Sequence, residues 1–363
     1  MTDKLKNNNQ NYFPALTGIR VIAAYLVFFH HFNPFQKNGS HNFLYGIVNE
    51  MYIGVTVFFV LSGFLIGYRY FDSKDFSFKK YIVNRVARIY PIYLLLTILT
   101  FTVFYFSDGT HSLFSMKVFL LNITFLRGLF SDFIFTGINQ GWSLTVEEMF
   151  YFSAPLFFIL IRRSRYNLIL LPVVILCCGI LLTAYFSSHS LSGFLDSNKF
   201  MLNYTFFGRC FEFFIGIALS IYFKRNQNKF KTTFATYSGI LIIILSLVLL
   251  YLLSDGYKYG NQNPFGIFLN NLMLPFFGIA LLFWGLITEK TAVQNILSSK
   301  LFLLLGKSSY IFYLIHLGVF ETFISNQITS NIYLTFILIN ILSIALFKTI
   351  EEPLNKLIRQ NFS

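Results

Sequence analysis

The chain has 363 residues, 55% of them hydrophobic and only 12% charged, with a mean hydropathy of +0.62. A soluble domain carries about twice that charge, so the composition excludes a water-soluble globular protein. The net charge of +13 would suit a nucleic-acid partner, but the basic residues are sorted by connection along the chain and form no such surface.

About 20 apolar residues suffice to cross the hydrocarbon core as a helix, and runs of that length recur from end to end. They predict an all-α integral membrane protein, a single bundle of about ten transmembrane helices, with no soluble catalytic domain and no repeat or linker dividing it. The opening residues MTDKLKNNNQNYF are polar and lack a small-residue cleavage site. They read as a cytoplasmic tail, 1–13, ahead of a permanent first span and not as a removable signal. The spans are expected at 14–31, 51–70, 89–107, 142–161, 167–186, 205–223, 236–254, 267–287, 302–324 and 329–348, within a membrane domain over 14–350 and ahead of a second tail, 351–363. The connection near 108–141 contains SLFSMKVFLLNITFLRGLF, moderately apolar but carrying Lys117 and Arg127, and predicts an interfacial or re-entrant helix. Cys177, Cys178 and Cys210 fall in apolar runs without metal or disulfide spacing and read as small core residues.

Lysine and arginine are retained on the cytoplasmic side of a membrane. The two tails and the even-numbered connections hold eighteen of them, whereas the odd-numbered connections hold five: Lys37, Lys117, Arg127, Lys199 and Lys258. Both termini are therefore expected in the cytoplasm.

Ionisable side chains at membrane depth are costly unless paired, so each is a functional candidate. Arg20 and His30 share the first helix, about 15 Å apart along its axis at 1.5 Å per residue, with His30 near the outer surface. For His30 alone an interfacial hydrogen-bonding histidine competes with a functional role, and His31 has only that reading. Ser62 and Gly63 are small and central; they either permit close helix packing or leave room for a narrow substrate. Arg85 and Arg88 are three apart on one helical face at the cytoplasmic mouth of the third span. They suit either a phosphate clamp or ordinary anchoring. Glu147 and Glu148 open the fourth span, which enters from outside, so Glu147 is expected at the depth of His30. A carboxylate and an imidazole at one level are the minimum for general-base chemistry; Glu148 is the one expected to face water. Arg209 and Glu212 are three apart inside the sixth span, as an ion pair that either ties helices together or lines a polar path. His316, near the middle of the ninth span, suits an interhelical hydrogen bond.

Taken together these segments resemble the acyltransferase-3 family of membrane O-acyltransferases. FPALTGIRVIAAYLVFFHH resembles the family's first helix, with Arg and His ten residues apart, here Arg20 and His30. GVTVFFVLSGFLIG resembles its second helix, NRVARIYP its Arg-x-x-Arg element, and WSLTVEEMFY its Trp-Ser-Leu-x-x-Glu signature, which selects Glu147. RCFEFFIGIAL, GKSSYIFYLIH and the closing Glu351, Glu352 and Pro353 follow in order. Thr17 stands where family members often carry Asp. The chain stops soon after its tenth span, so a standalone member without the extracytoplasmic esterase-like domain is expected.

The resemblance implies transfer of an acyl group, usually acetyl, from acetyl-CoA to a hydroxyl of an extracytoplasmic or membrane-linked glycan, with no metal. Lipopolysaccharide O-antigen, capsule or another surface polysaccharide would be the acceptor, and a bacterial cytoplasmic membrane the location. In that scheme Arg85 and Arg88 hold the CoA phosphates, His30 removes the acceptor proton, Glu147 orients His30, and Arg20 offsets negative charge on the donor or oxyanion. The rival readings are a transporter or flippase for a lipid-linked glycan, and a non-catalytic sensor or assembly factor. Many transporters show two related halves with interrupted helices, a correspondence not found here; a lost His30 or Arg-x-x-Arg pair would favour the sensor, and both are present.

Overall fold

The computed structural model describes residues 12–37, 42–73, 76–107, 115–189, 191–226 and 234–362. Lys4, Lys6, Lys74, Lys229 and Lys231, which contribute to the charge asymmetry, lie outside the described residues. Regular structure among the described residues is entirely helical, apart from one isolated bridge between Phe130 and Phe194. The principal helices are α1 (Pro14–His31), α2 (Gly54–Tyr70), α3 (Phe78–Ser107), α4 (Trp142–Arg163), α5 (Asn167–Phe186), α6 (Phe206–Asn226), α7 (Ala235–Leu253), α8 (Ala280–Thr288), α9 (Lys300–Ile315), α10 (Val319–Gln327), α11 (Ile332–Leu346) and α12 (Glu352–Phe362).

Every predicted span is helical. Among the described residues eight helical stretches are long and apolar enough to cross a membrane, or nine if α9 and α10 form one broken span. The first helix has 18 residues, but Arg20, His30 and His31 hold its hydropathy down. Phe13, at its start, packs edge-on against Tyr68 and Phe223, and His30 closes its far end. The bundle therefore has an Arg85 end and a His30 end.

Small residues set the centre. A Cβ on Gly63 would lie 2.1 Å from the Phe213 carbonyl oxygen, and one on Gly216 would lie 2.2 Å from that of Val60. Only hydrogen fits at this crossing, so α2 and α6 approach backbone to backbone, as small residues permit in membranes. The span containing α2 is 78% buried and α5 is 17% buried, which makes α2 the axis and α5 a lipid-facing helix. Cys177 and Cys178 lie exposed on α5 and only Cys210 is buried, so two of the three cysteines are not core residues. An apolar surface in contact with lipid accepts the same small side chains that a core does.

The expected straight span at 302–324 is broken. The chain bends by 83° between α9 and α10, and Gly318 adopts φ +88, a conformation that glycine takes without steric strain. Residues 352–362, read from sequence as part of a tail, form α12, which packs on α3. Pro353 lacks an N–H for the helical ladder, and the preceding Phe347–Glu351 is wound as a π turn. The long connection does hold a helix, Met116–Ile123, and folds into the bundle. Tyr93 donates to the Asn122 carbonyl at 3.0 Å and stacks on Phe125 at 4.5 Å, though it lies 14 residues before the end of α3, about 21 Å at the helical rise. Arg127 is fully buried there, its guanidinium bonded to the Ile138 carbonyl.

Candidate active site

The polar group at the centre of the site is Glu147, half-buried and one turn into α4. Its carboxylate accepts from the Ser62 hydroxyl of α2 and from Tyr151, one turn further along α4. The two hydroxyls are themselves 3.3 Å apart. Around this knot lies a narrow cavity of about 60 Å³, into which Arg20, Arg88, Tyr310 and Tyr313 also project. Ser62 thus lines this cavity while its neighbour Gly63 makes the helix crossing, so close packing is the reading of the pair that the geometry shows. Glu148, expected to face water, is buried.

His30 lies elsewhere. Its Nδ1–H donates to the Asn49 carbonyl at 2.7 Å, which leaves the Nε2 lone pair as the available base. Tyr52, Tyr259 and His31 surround the ring, with centroids 5.6, 5.1 and 4.7 Å away. Asn49 precedes α2, whereas Ser62 is eight residues into it, so Glu147 sits at least about 12 Å deeper. The expectation that Glu147 and His30 share one level is overturned: a backbone carbonyl, not a carboxylate, orients the imidazole. The cause is the folded-in connection, which carries the start of α4 inside the bundle and so covers Glu147 and Glu148 alike.

Two further histidines join His30. His31 and His316 stand 5.5 Å apart ring to ring, and the His316 Nδ1–H donates to the Tyr313 carbonyl at 2.8 Å. His316 caps α9 at the break and is not mid-span; His31, exposed as an interfacial histidine would be, stands beside it. Tyr313 lies 2.8 Å from Ser143 and donates to the Gln140 carbonyl at 3.0 Å. One residue therefore links the cavity, through its ring, to the histidines, through its backbone.

At the other end Arg85 is buried, its guanidinium 5.9 Å from the Tyr70 ring centroid and 5.7 Å from that of Tyr151. Its Nε has no hydrogen-bond partner among the described residues. Beyond Tyr70 opens a pocket of about 400 Å³ lined by Arg69, Lys80 and Arg359, with Phe76 and Tyr81 as apolar walls and no acidic residue among the described ones. Arg85 stands between pocket and cavity, and Arg88 projects into the cavity. Arg69 escaped notice as the last-turn residue of a span, and Arg359 as a tail charge; the one sequence signal is that Arg359 has no acidic residue a turn away, whereas Arg69 has Asp72 three residues on.

Arg209 and Glu212 form a bidentate pair at 2.6 and 2.8 Å. The guanidinium also donates to Thr56, which bonds Asn270, which bonds Asn271. This chain ties α2 and α6 to the π-helical turn Leu269–Ile279. The pair lines neither the central cavity nor the basic pocket, so of its two sequence readings the structural tie is the one that the geometry favours. Among the described residues no three His, Cys, Asp or Glu side chains converge as metal ligands would.

Residues 13–349 match a family model described as an acyltransferase domain. The O-acetyltransferase OatA of Staphylococcus aureus (strain NCTC 8325 / PS 47) is 24% identical over 376 residues, covering 97% of this chain and 58% of that protein. YrhL of Bacillus subtilis (strain 168), provisionally named a peptidoglycan O-acetyltransferase, is 26% identical over 379 residues, covering 96% and 56%. The chain thus spans little more than half the length of these relatives. No solved structure matches it.

Proposed function

This chain belongs to the acyltransferase-3 family of membrane acyltransferases, and from that premise we propose that it O-acetylates a cell-envelope glycan with acetyl-CoA as donor. The observation that carries the reading is a file of polar side chains along the bundle. It runs from the basic pocket through Arg85, Tyr151, Glu147, Ser62 and Tyr313 to His316, His31 and His30. The basic excess in the tails and even connections assigns the Arg85 end to the cytoplasm, with ten spans and both termini inside.

Arg69, Lys80 and Arg359 then face the phosphates of the CoA nucleotide through charge-assisted hydrogen bonds, and Phe76 and Tyr81 flank its base. The pantetheine arm passes Arg85 and Arg88 toward the cavity. Arg20, about 15 Å below His30 on the same helix, serves the donor and not the acceptor. Glu147 holds Ser62 and Tyr151 in place along the arm. At the His30 end, Nε2 takes the proton of the acceptor hydroxyl as its oxygen attacks the thioester carbonyl carbon. The carbon–sulfur bond breaks, and the proton passes to the departing thiolate. The name of YrhL favours a wall polymer such as peptidoglycan over the lipopolysaccharide or capsule expected at first.

The test is transfer of label from acetyl-CoA to glycan in membrane vesicles. Loss of a general base lowers rates about 10²–10⁴-fold, so His30→Ala should fall to that level while remaining folded. Retention of most activity by that variant would sink the assignment, and a wild type that leaves no label on glycan would return the transporter reading.

A further inference from the structure

The His30 end carries a second cavity that the donor path leaves unused. A cleft of about 700 Å³ opens between Lys37 and residues 42–49 on one side and residues 251–258 on the other, within the roughly 300–1,000 Å³ of small-ligand sites. A single residue joins it to His30. Asn49 lines the cleft, its backbone oxygen holds the His30 Nδ1 proton, and its side-chain amide donates to the Lys258 carbonyl at 3.0 Å. Tyr259, next after Lys258, lies 5.1 Å ring to ring from His30. Whatever the cleft holds is therefore one residue away from the His30 ring.

Its walls are chemically distinctive. Tyr45, Tyr251 and Tyr257 present flat rings bearing hydroxyls, which suit the C–H faces and the hydroxyl rim of a sugar. Lys37 and Lys258 line the same space, and Lys199 approaches it over the Tyr257 ring at 5.6 Å. Asp255 is the one acidic residue in the lining. Gly256, at φ +75, makes the sharp turn that presents Tyr257 and Lys258, where a side chain would be strained. Glu50 is close in sequence, but its carboxylate is buried and held by the Gly260 N–H at 3.0 and 3.1 Å.

We propose that this cleft is the acceptor site and that it selects an acidic glycan, one whose sugars carry carboxylates, over a neutral one. The proposal rests on the acetyl-transfer reading above for the reaction, but its recognition chemistry is separate. Lys37 and Lys258 pair with the sugar carboxylate, the tyrosine rings bear the sugar face, and a neighbouring hydroxyl meets His30.

The experiment is equilibrium binding, with no transfer step, of the purified chain in zwitterionic-lipid nanodiscs. The probes are a fluorescent oligogalacturonate and the same oligosaccharide with its carboxylates reduced to alcohols. The acidic probe should bind at least about tenfold tighter, a difference that added salt erodes as exposed charges are screened. Lys37→Glu with Lys258→Glu should abolish the preference; should that double variant fold poorly, Lys37→Gln alone should reduce it about threefold. Equal binding of the two probes would overturn the proposal. Displacement of the acidic probe by anionic lipid at matched charge would also overturn it, since the cleft would then hold a headgroup. A chain that binds acidic glycan but never transfers acetyl would sink only the acetyl-transfer reading. One that transfers acetyl but binds both probes alike would sink only the acceptor assignment.

Discussion

Replacing Glu212 by Gln tests whether the buried pair in α6 is a structural tie. Both partners are almost wholly inaccessible, at 3% and 0% exposure, and the carboxylate receives two guanidinium hydrogen bonds. Removing one partner of such a pair leaves a charge buried without compensation and costs about 3–5 kcal/mol. Arg209 keeps its bonds to the Asn203 carbonyl and to Thr56, 3.1 and 3.0 Å away, so the loss should fall near the lower figure, about 3 kcal/mol. Replacing both residues by Met removes both charges at similar volume. Such exchanges are near neutral or stabilising, so the double variant should recover most of the loss, less about 1 kcal/mol for the hydrogen bond that Thr56 no longer receives, its hydroxyl still donating to Asn270. The assay is reversible SDS unfolding in mixed micelles, with acetyl transfer followed on the same preparations. A double variant no more stable than Glu212→Gln would refute the reasoning. So would a Glu212→Gln protein of native stability that has lost transfer, because the pair would then lie on the path.

Arg359→Ala should raise KM for acetyl-CoA about tenfold, equivalent to about 1.4 kcal/mol, with kcat within about twofold. A change in kcat instead would remove Arg359 from donor binding. Gly63→Val places a side chain where a Cβ already meets the Phe213 carbonyl oxygen at 2.1 Å. Overpacking of that kind costs about 1–3 kcal/mol, and an unchanged unfolding midpoint would contradict the crossing described here. A membrane-permeant maleimide should label Cys177 and Cys178 in detergent and leave Cys210 unlabelled until the protein unfolds, as read by mass spectrometry; early labelling of Cys210 would contradict its burial.

The spans were legible because apolar length is a property of the chain read by itself. The break at Gly318 was not, since hydropathy is continuous across 302–324 while the bend depends on one backbone angle. Arg20, His30, Arg88 and Glu147 announced themselves as ionisable residues among apolar neighbours. Their partnerships did not. Topology placed Glu147 and His30 on the same side, but depth depended on how far the 115–141 connection folds inward, which no periodicity records. The basic pocket was illegible for a related reason. Arg69 and Arg359 meet only because α12 folds back on α3, and each read by itself is ordinary positive-inside charge.

The slenderness of the central cavity has an electrical consequence. At about 60 Å³ it has room for only a few waters, and Ser62 and Tyr151 spend their hydroxyls on Glu147. A cavity of that volume holds no continuous column of water, so protons and ions should find no conductive route through it even though ionisable groups line it. A membrane packed with this protein should hold its ion gradients as well as bare lipid does. Acetyl could then reach the far side as a covalently handed group, with the insulation of the bilayer intact throughout.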